Sequence, residues 1–337
     1  MQEPQLTTLH VVSCALDYLS EQAPHSAREQ IAATLLANSG ITLADLHSGE
    51  VRITRQQELT VCANGLASCP DLGLILGQRM HISAYGLLGY AAISCATLAD
   101  ALQLMFRYPA LLGTYFQLQL HVEGELAWIS ASHYQQRADL LRFNIEMCLA
   151  SLQQMCSDLV GRPLPIRAAE FTLPAPPYRN RYRDCFGDRL CFAAKRDGFA
   201  FDSQLLATPL PLANPVTHSE MVARCRQLDG EFNTNRHWLY RARTLLAGQL
   251  AHAPRLEQLA EQMHCSPRTL RRRLKGMGTS YQAQLDELRF EQAKQLLAEP
   301  SHAIYHIAKR LGFSESASFR HAFLRWSGVT PRQYRQY

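Results

Sequence analysis

Residues 303–334 read A-I-Y-H-I-A-K-R-L-G-F-S-E-S-A-S-F-R-H-A-F-L-R-W-S-G-V-T-P-R-Q-Y. Ile304, Ile307, Ala308 and Leu311 fall at helical spacing, which gives a short helix one apolar face. Gly312 supplies its stop, because a residue without Cβ takes a left-handed conformation at little cost. Ser314 or Ser316 can cap a second helix. Phe319, Phe323 and Trp326 form that helix's inner stripe and leave Ser316, Arg320 and His321 facing away. Gly328 and Thr330-Pro331 end it. The pattern predicts a helix-turn-helix whose second helix suits a major groove.

Working backwards, the same pattern recurs in diverged form. Leu259-Ala260 and Met263 match Ile307-Ala308 and Leu311 at an offset of 48, and Leu270 and Leu274 match Phe319 and Phe323 at 49. Two units, at about 256–277 and 304–327, are therefore expected. Tyr281, Leu285, Leu288, Gln292 and Leu296 mark a long amphipathic helix between them. That helix would hold two recognition helices at the spacing of one DNA turn, about 34 Å. In the first unit Ser266 caps a helix with Pro267 at its first position. Leu270 and Leu274 face inward, so Arg268, Arg271, Arg272 and Lys275 point outward. An arginine can pair bidentately with guanine, whereas phosphate contacts add affinity without sequence information.

The run Ile307-Ala308, Leu311-Gly312-Phe313-Ser314, Phe319, Ala322-Phe323, Gly328, Thr330-Pro331 and Tyr334-Arg335 resembles the signature of the AraC/XylS family of bacterial transcription regulators. The resemblance implies that Arg268, Thr269 and Arg272 reach base edges, with Arg273 and Lys275 on phosphates. In the second unit the chain departs from the family pattern. His321 stands where an arginine is common and Arg320 where a small polar residue is usual, so Arg320 is expected on a phosphate.

Charge divides the chain in the same place. From Trp238 onward there are 16 Lys and Arg against 7 Asp and Glu, and before it 18 against 22. Only the C-terminal part is fitted to a polyanion. The 337 residues suffice for two cores, with 47% hydrophobic and 19% charged residues. No apolar run is long enough to span a bilayer. The opening M-Q-E-P-Q lacks the features of a secretory signal, so a cytoplasmic protein with no membrane partner is expected.

The ten cysteines are scattered without C-x-x-C spacing and read as buried thiols. His302 and His306, at i and i+4, lack further ligands nearby and read as a solvated helix start, so no metal is expected. No cofactor motif and no catalytic constellation is visible. A DNA-repair type of enzyme with a reactive cysteine is disfavoured on that ground.

Toward the N-terminus the reading is an α+β domain with a small antiparallel sheet, followed by the all-α domain. Helices are expected within 5–46, with Pro24 as a break and 42–46 as a turn, and from Glu58 to Cys69. Glycines 73, 77, 86 and 89 favour close packing or turns over one smooth helix. Thr97 with Asp100 marks a capping box. Strands are expected at 116–122, 126–131, 169–173 and within 188–201, with a long helix over 138–160. Leu74 to Leu104 resembles the arabinose-binding-like N-terminal domain of the AraC branch that includes ornithine-utilisation regulators. Pro209, Pro211 and Pro215 end this domain.

The expected division is 1–215 for effector sensing or dimerisation, 216–236 as a linker helix, and 237–337 for DNA. The implied function is an effector-responsive regulator, an activator acting with RNA polymerase on promoter DNA, with a homodimer allowed. The alternative is an effector-free regulator controlled by protein contacts. Gln78, Arg79, His81 and Tyr85 offer hydrogen-bonding groups among apolar residues; they either line a pocket or sit as caps and exposed positions around a packed helix.

Overall fold

A computed structural model describes residues 6–46, 51, 53–277, 279–299 and 302–335; the opening M-Q-E-P-Q lies outside them. The chain forms two units, residues 8–47 with 56–232, and residues 233–337 with 1–7 and 48–55.

In the first unit, helices α1 (His10–Glu21) and α2 (Arg28–Leu35) follow the expected apolar stripes on either side of Pro24. The expected turn at 42–46 is a single helical turn, Leu43–Leu46. Helix α3 (Arg55–Leu66) precedes the glycine-rich stretch, which breaks into α4 (Leu72–Arg79), a 3-10 turn (Ile82–Tyr85) and α5 (Gly86–Ile93). Two glycines within α4 serve close packing. A Cβ on Gly73 would lie 2.6 Å from the Phe143 carbonyl oxygen, and one on Gly77 would lie 2.5 Å from the Ala150 Cβ. Both positions let α4 lie directly against helix α7 (Leu141–Val160). Helix α6 (Leu98–Arg107) opens with the Thr97–Asp100 capping box expected from the sequence.

The sheet has strands β1 (Gln117–Glu123), β2 (Leu126–Ser132), β3 (Ile166–Phe171), β4 (Leu190–Phe192) and β5 (Asp197–Asp202), in the order β1-β2-β5-β3-β4. It is not wholly antiparallel: β3 and β4 run parallel. The reason is helix α8 (Arg179–Phe186), which carries the chain back between them as a crossover. The expectation of an all-helical 5–46 also fails at its start. Leu6–Thr7 is a strand paired antiparallel with Ile53–Thr54, a partner too distant in sequence for local pattern to show, and it belongs to the second unit.

Glu146 is fully enclosed on α7, and its Oε1 accepts hydrogen bonds from Tyr178 (2.9 Å) and Tyr182 (2.5 Å). Burial raises its carboxyl to about 7, against the pull of the two hydroxyls.

The proline-rich segment is tied to the domain through its backbone and Leu210. Pro209 bridges to Thr97, Leu210 is buried, and Leu210 N–H and Asn214 N–H donate to the carbonyls of Ala96 and Ser94. Helix α9 (Pro215–Ala247) then runs for 33 residues. The linker helix expected over 216–236 is therefore the greater part of a longer helix. Pro215 suits its first turn, and Asn214 Oδ1 caps Val216 and Thr217 N–H at 3.0 Å.

The second unit holds α10 (Leu256–Gln262), α11 (Pro267–Gly276), α12 (Tyr281–Ala298), α13 (Ile304–Arg310), α14 (Ser316–Ser327) and α15 (Pro331–Tyr334). It has two small cores. Leu239, Leu246, Leu259, Leu270, Leu274 and Leu288 fill one; Leu297, Ile307, Leu311, Phe319 and Phe323 fill the other. Helix α12 contributes to both. Arg243 on α9 is 3% exposed and donates to Gln284 (2.9 Å), Glu287 (2.6 Å) and Glu291 (3.1 Å) of α12.

Two outcomes follow. Arg243→Ala strands polar groups of α12 and should cost the second unit about 2–4 kcal/mol in urea unfolding, since truncating one member of a buried ion pair is strongly destabilising. Glu291→Ala, which leaves Arg243 two partners, should cost under about 1 kcal/mol. For Glu146, a folded carboxyl raised above its unfolded value stabilises the protonated fold. That contribution is complete below about pH 4.5 and is lost as pH rises through about 7. Glu146→Gln should remove this slope from the first unit's melting temperature between pH 5 and 8.

Candidate nucleic-acid interface

Helix α11 begins as the sequence requires. Ser266 Oγ accepts from Thr269 N–H at 3.1 Å, and Pro267 occupies the first position, where its missing N–H costs nothing. Leu270 and Leu274 are buried, so Arg268, Arg271, Arg272 and Lys275 come out exposed. Arg268, Arg272 and Lys275 stand at i, i+4 and i+7 on one face. Among the described residues none of these three has an ion-pair partner. Their charge is available to an incoming polyanion.

The other positions are more constrained. Arg271 faces Glu257 at 3.5 Å, an exposed pair of little strength. The Thr269 hydroxyl lies 2.9 Å from Ser266 Oγ, within the cap itself. Arg273 lies over the Trp238 ring at 5.2 Å and so packs on α9, a placement its expected role on a phosphate did not foresee.

In the second unit Gly312 adopts φ 77°, as expected for the turn. A Cβ there would also lie 2.4 Å from the Leu250 carbonyl oxygen, so this glycine serves close packing as well. In the first unit the equivalent position, 48 residues earlier, is His264 with φ 53°. Cys265 N–H and Phe313 N–H then close the two turns alike, donating to the Ala260 and Ala308 carbonyls at 2.9 and 3.0 Å. The offset could have revealed His264 in the sequence, since histidine is among the few side chains enriched in that backbone region.

Neither Ser314 nor Ser316 caps α14. Glu315 is the cap residue, without a side-chain bond, and Ser316 lies inside the first turn. The second turn's extra residue shifts the cap by one place relative to Ser266. Arg320 and His321 are exposed, but Arg320 Nε folds back toward the Ser316 carbonyl at 3.4 Å. At an offset of 49, Arg268, Thr269, Arg272 and Lys275 correspond to Ala317, Ser318, His321 and Leu324. The second helix thus presents one flexible cation, one imidazole and small or apolar groups. Arg325 is tied to Asp286 of α12 at 2.9 Å.

His302 precedes α13 and does not share a helix face with His306; its ring meets Arg310 Nη1 at 3.2 Å. Among the described residues no three His, Cys, Asp or Glu side chains converge as metal ligands.

In the first unit the four candidate effector residues are placed as follows. Gln78 is exposed. Arg79 pairs with Glu21 at 3.0 Å and lies over the Tyr18 ring, His81 Nδ1 meets Asp158 at 3.1 Å, and burial raises the Tyr85 phenol beside Ser151. A half-open cleft of about 450 Å³ lies elsewhere, between α6 and the start of α9. No helix among the described residues is long and apolar enough to cross a membrane.

Residues 31–210 match the family described as the arabinose-binding domain of AraC transcription regulator, N-terminal, and residues 259–337 match a helix-turn-helix domain family. The chain is 35% identical to the ornithine utilization regulator of Pseudomonas aeruginosa over 292 residues, covering 87% of this chain and 86% of that one. It is 30% identical to an uncharacterized HTH-type transcriptional regulator of Mycobacterium tuberculosis over 314 residues, 90% of each chain. Among solved structures, the transcriptional regulator CdpR from Pseudomonas aeruginosa matches at 22% identity and a TM-score of 0.44, over 97% of this chain and 98% of that one. The chain belongs to the AraC family of transcription regulators, DNA-binding proteins and not enzymes, with an arabinose-binding-like N-terminal domain and a C-terminal helix-turn-helix domain.

Proposed function

We propose that the chain is a sequence-specific activator that responds to a small-molecule effector through its N-terminal domain and reads promoter DNA chiefly with α11. The observation that carries the DNA half is the face of Arg268, Arg272 and Lys275, exposed and unpaired among the described residues. Arg268 and Arg272 reach base edges, and Thr269 joins them only by leaving its contact with Ser266. Lys275 and Arg271 bind phosphates, as does Arg320. Ser316 and His321 contribute contacts of lower discrimination from α14. RNA polymerase is the partner through which bound protein activates, and a homodimer would place these readers on paired sites. Cytoplasmic residence follows from this role.

The effector half is supported by likeness to a regulator named for ornithine utilization, which makes basic amino acids the first class to screen.

Binding to the promoter fragment should weaken with salt, and Lys275→Ala should lower the slope of log K against log salt by about 1. Arg272→Ala should relax preference at particular base pairs by about 1–3 kcal/mol, read by fluorescence anisotropy on single-base variants. His321→Ala should change preference by much less. Equal loss on every sequence for Arg272→Ala reduces that residue to a phosphate contact. In a thermal-shift screen an effector at 100 times its Kd should stabilise the protein by about 2.7 kcal/mol. No shift with amino acids, sugars or fatty acids favours a regulator controlled by protein contacts alone.

A further inference from the structure

The cleft of the first unit is lined by charges of both signs. Asp100, Gln103 and Arg107 stand at i, i+3 and i+7 along α6, on one helical face. At the helical rise, Asp100 and Arg107 have their Cα atoms about 10 Å apart. The two charges are therefore borne two helical turns apart on one wall of the cleft. Leu104, Ala96, Ala213 and Pro215 supply apolar surface, and Asn214 and His218 border the other side.

The polar groups are only partly committed. Asp100 Oδ2 closes the capping box with Thr97. Among the described residues its Oδ1 has no recorded partner, and the Arg107 guanidinium has no ion pair. Asn214 uses Oδ1 to cap α9, which leaves its amide N–H groups as donors. His218 Nδ1 meets Cys95 Sγ at 3.6 Å, which leaves Nε2. Arg107 and the free groups of Asn214 and His218 thus share one cleft with the Asp100 carboxylate and apolar walls.

Resting on the effector-responsive reading above, we propose that this cleft is the effector site and that its ligand is a linear diamino or ω-amino acid. The carboxylate pairs with Arg107, the distant ammonium with Asp100, and the methylenes lie along Leu104 and Pro215. A single-ended ligand leaves one charge of the cleft unmatched, which is the source of selectivity.

The test is isothermal titration calorimetry on the full chain. L-Ornithine and 5-aminovalerate should bind, while putrescine and valerate, each lacking one end, should bind at least tenfold more weakly. Arg107→Ala and Asp100→Asn should each weaken L-ornithine at least tenfold. Ala213→Trp, a change at an exposed position, should fill the cleft and abolish binding. Melting curves without ligand report whether each variant is folded. L-Ornithine binding unchanged in folded Arg107→Ala and Ala213→Trp overturns the cleft assignment and leaves the effector reading standing. Binding of only sugars or fatty acids overturns the ligand class. Absence of any ligand among all these compounds defeats the effector reading itself.

Discussion

The second unit depends on one buried guanidinium. Arg243 sits on α9 with its side chain almost wholly out of water, and it meets an amide and two carboxylates of α12. Removing a charge from water is costly, so the arrangement is tolerable only because the donors of Arg243 are matched. Burial raises the carboxyl of Glu287, and the nearby Arg243 charge opposes that shift. Planar, directional pairing fixes α12 about α9 more tightly than apolar packing alone, since leucines can slide while a set of three directional hydrogen bonds cannot. Everything that reads DNA hangs from α12. Leu285 and Leu288 enter the core under α11, and Ala293, Leu296 and Leu297 enter the core under α14.

On that frame the two helix-turn-helix units have diverged in chemistry while keeping their geometry. Both turns pass through a left-handed residue and close on the same carbonyl position. The inner residues stay apolar, leucines in the first and larger phenylalanines in the second. The outer residues do not match. Arg272 is replaced by His321, whose ring lacks the arginine fork, and Lys275 by Leu324, which has no charge. Fold and readout are set by different faces of the same helix, so one can be lost without the other. The basic excess after Trp238 suits both units to a polyanion, and α11 gathers on one face three exposed cations without ion-pair partners among the described residues.

Much of this was legible because the signals are local. Helical periodicity, the Ser266-Pro267 start, the Thr97–Asp100 box and the strict alternation of 117–122 each lie within one element, and the structure places those elements within a few residues. What escaped depends on partners remote in the chain. The Leu6–Thr54 pairing spans nearly fifty residues. The parallel β3–β4 pair depends on where α8 returns. The contact of Arg273 with Trp238, 35 positions earlier on another helix, likewise lay beyond any local pattern. Near Gln78, Arg79 and His81 contact Glu21 and Asp158, partners that no local pattern could assign. Residues lining the α6 cleft were hidden in a capping box and a proline break, features read first for their structural meaning.

The first unit holds two places where charge could meet a ligand, and physics separates them. Around Glu146 the carboxylate is enclosed, held by two tyrosine hydroxyls and pressed against Gly73, so a ligand would have to displace packed helix. Its carboxyl near neutrality marks the strain of burial, and that site is read as a structural centre joining α8 to α7. In the α6 cleft the charges are reachable. Two unit charges 4 Å apart gain about 1 kcal/mol in water and about 4 kcal/mol at an effective dielectric of 20. An exposed cleft spares an entering zwitterion much of the desolvation cost that a closed core imposes, and each ionic contact there stays near the weaker of these figures. Binding at both ends adds two such terms and immobilises only one molecule. That places the discriminating power of the cleft in the separation of Asp100 from Arg107, a distance set by two turns of a helix that the Thr97 cap holds at its start.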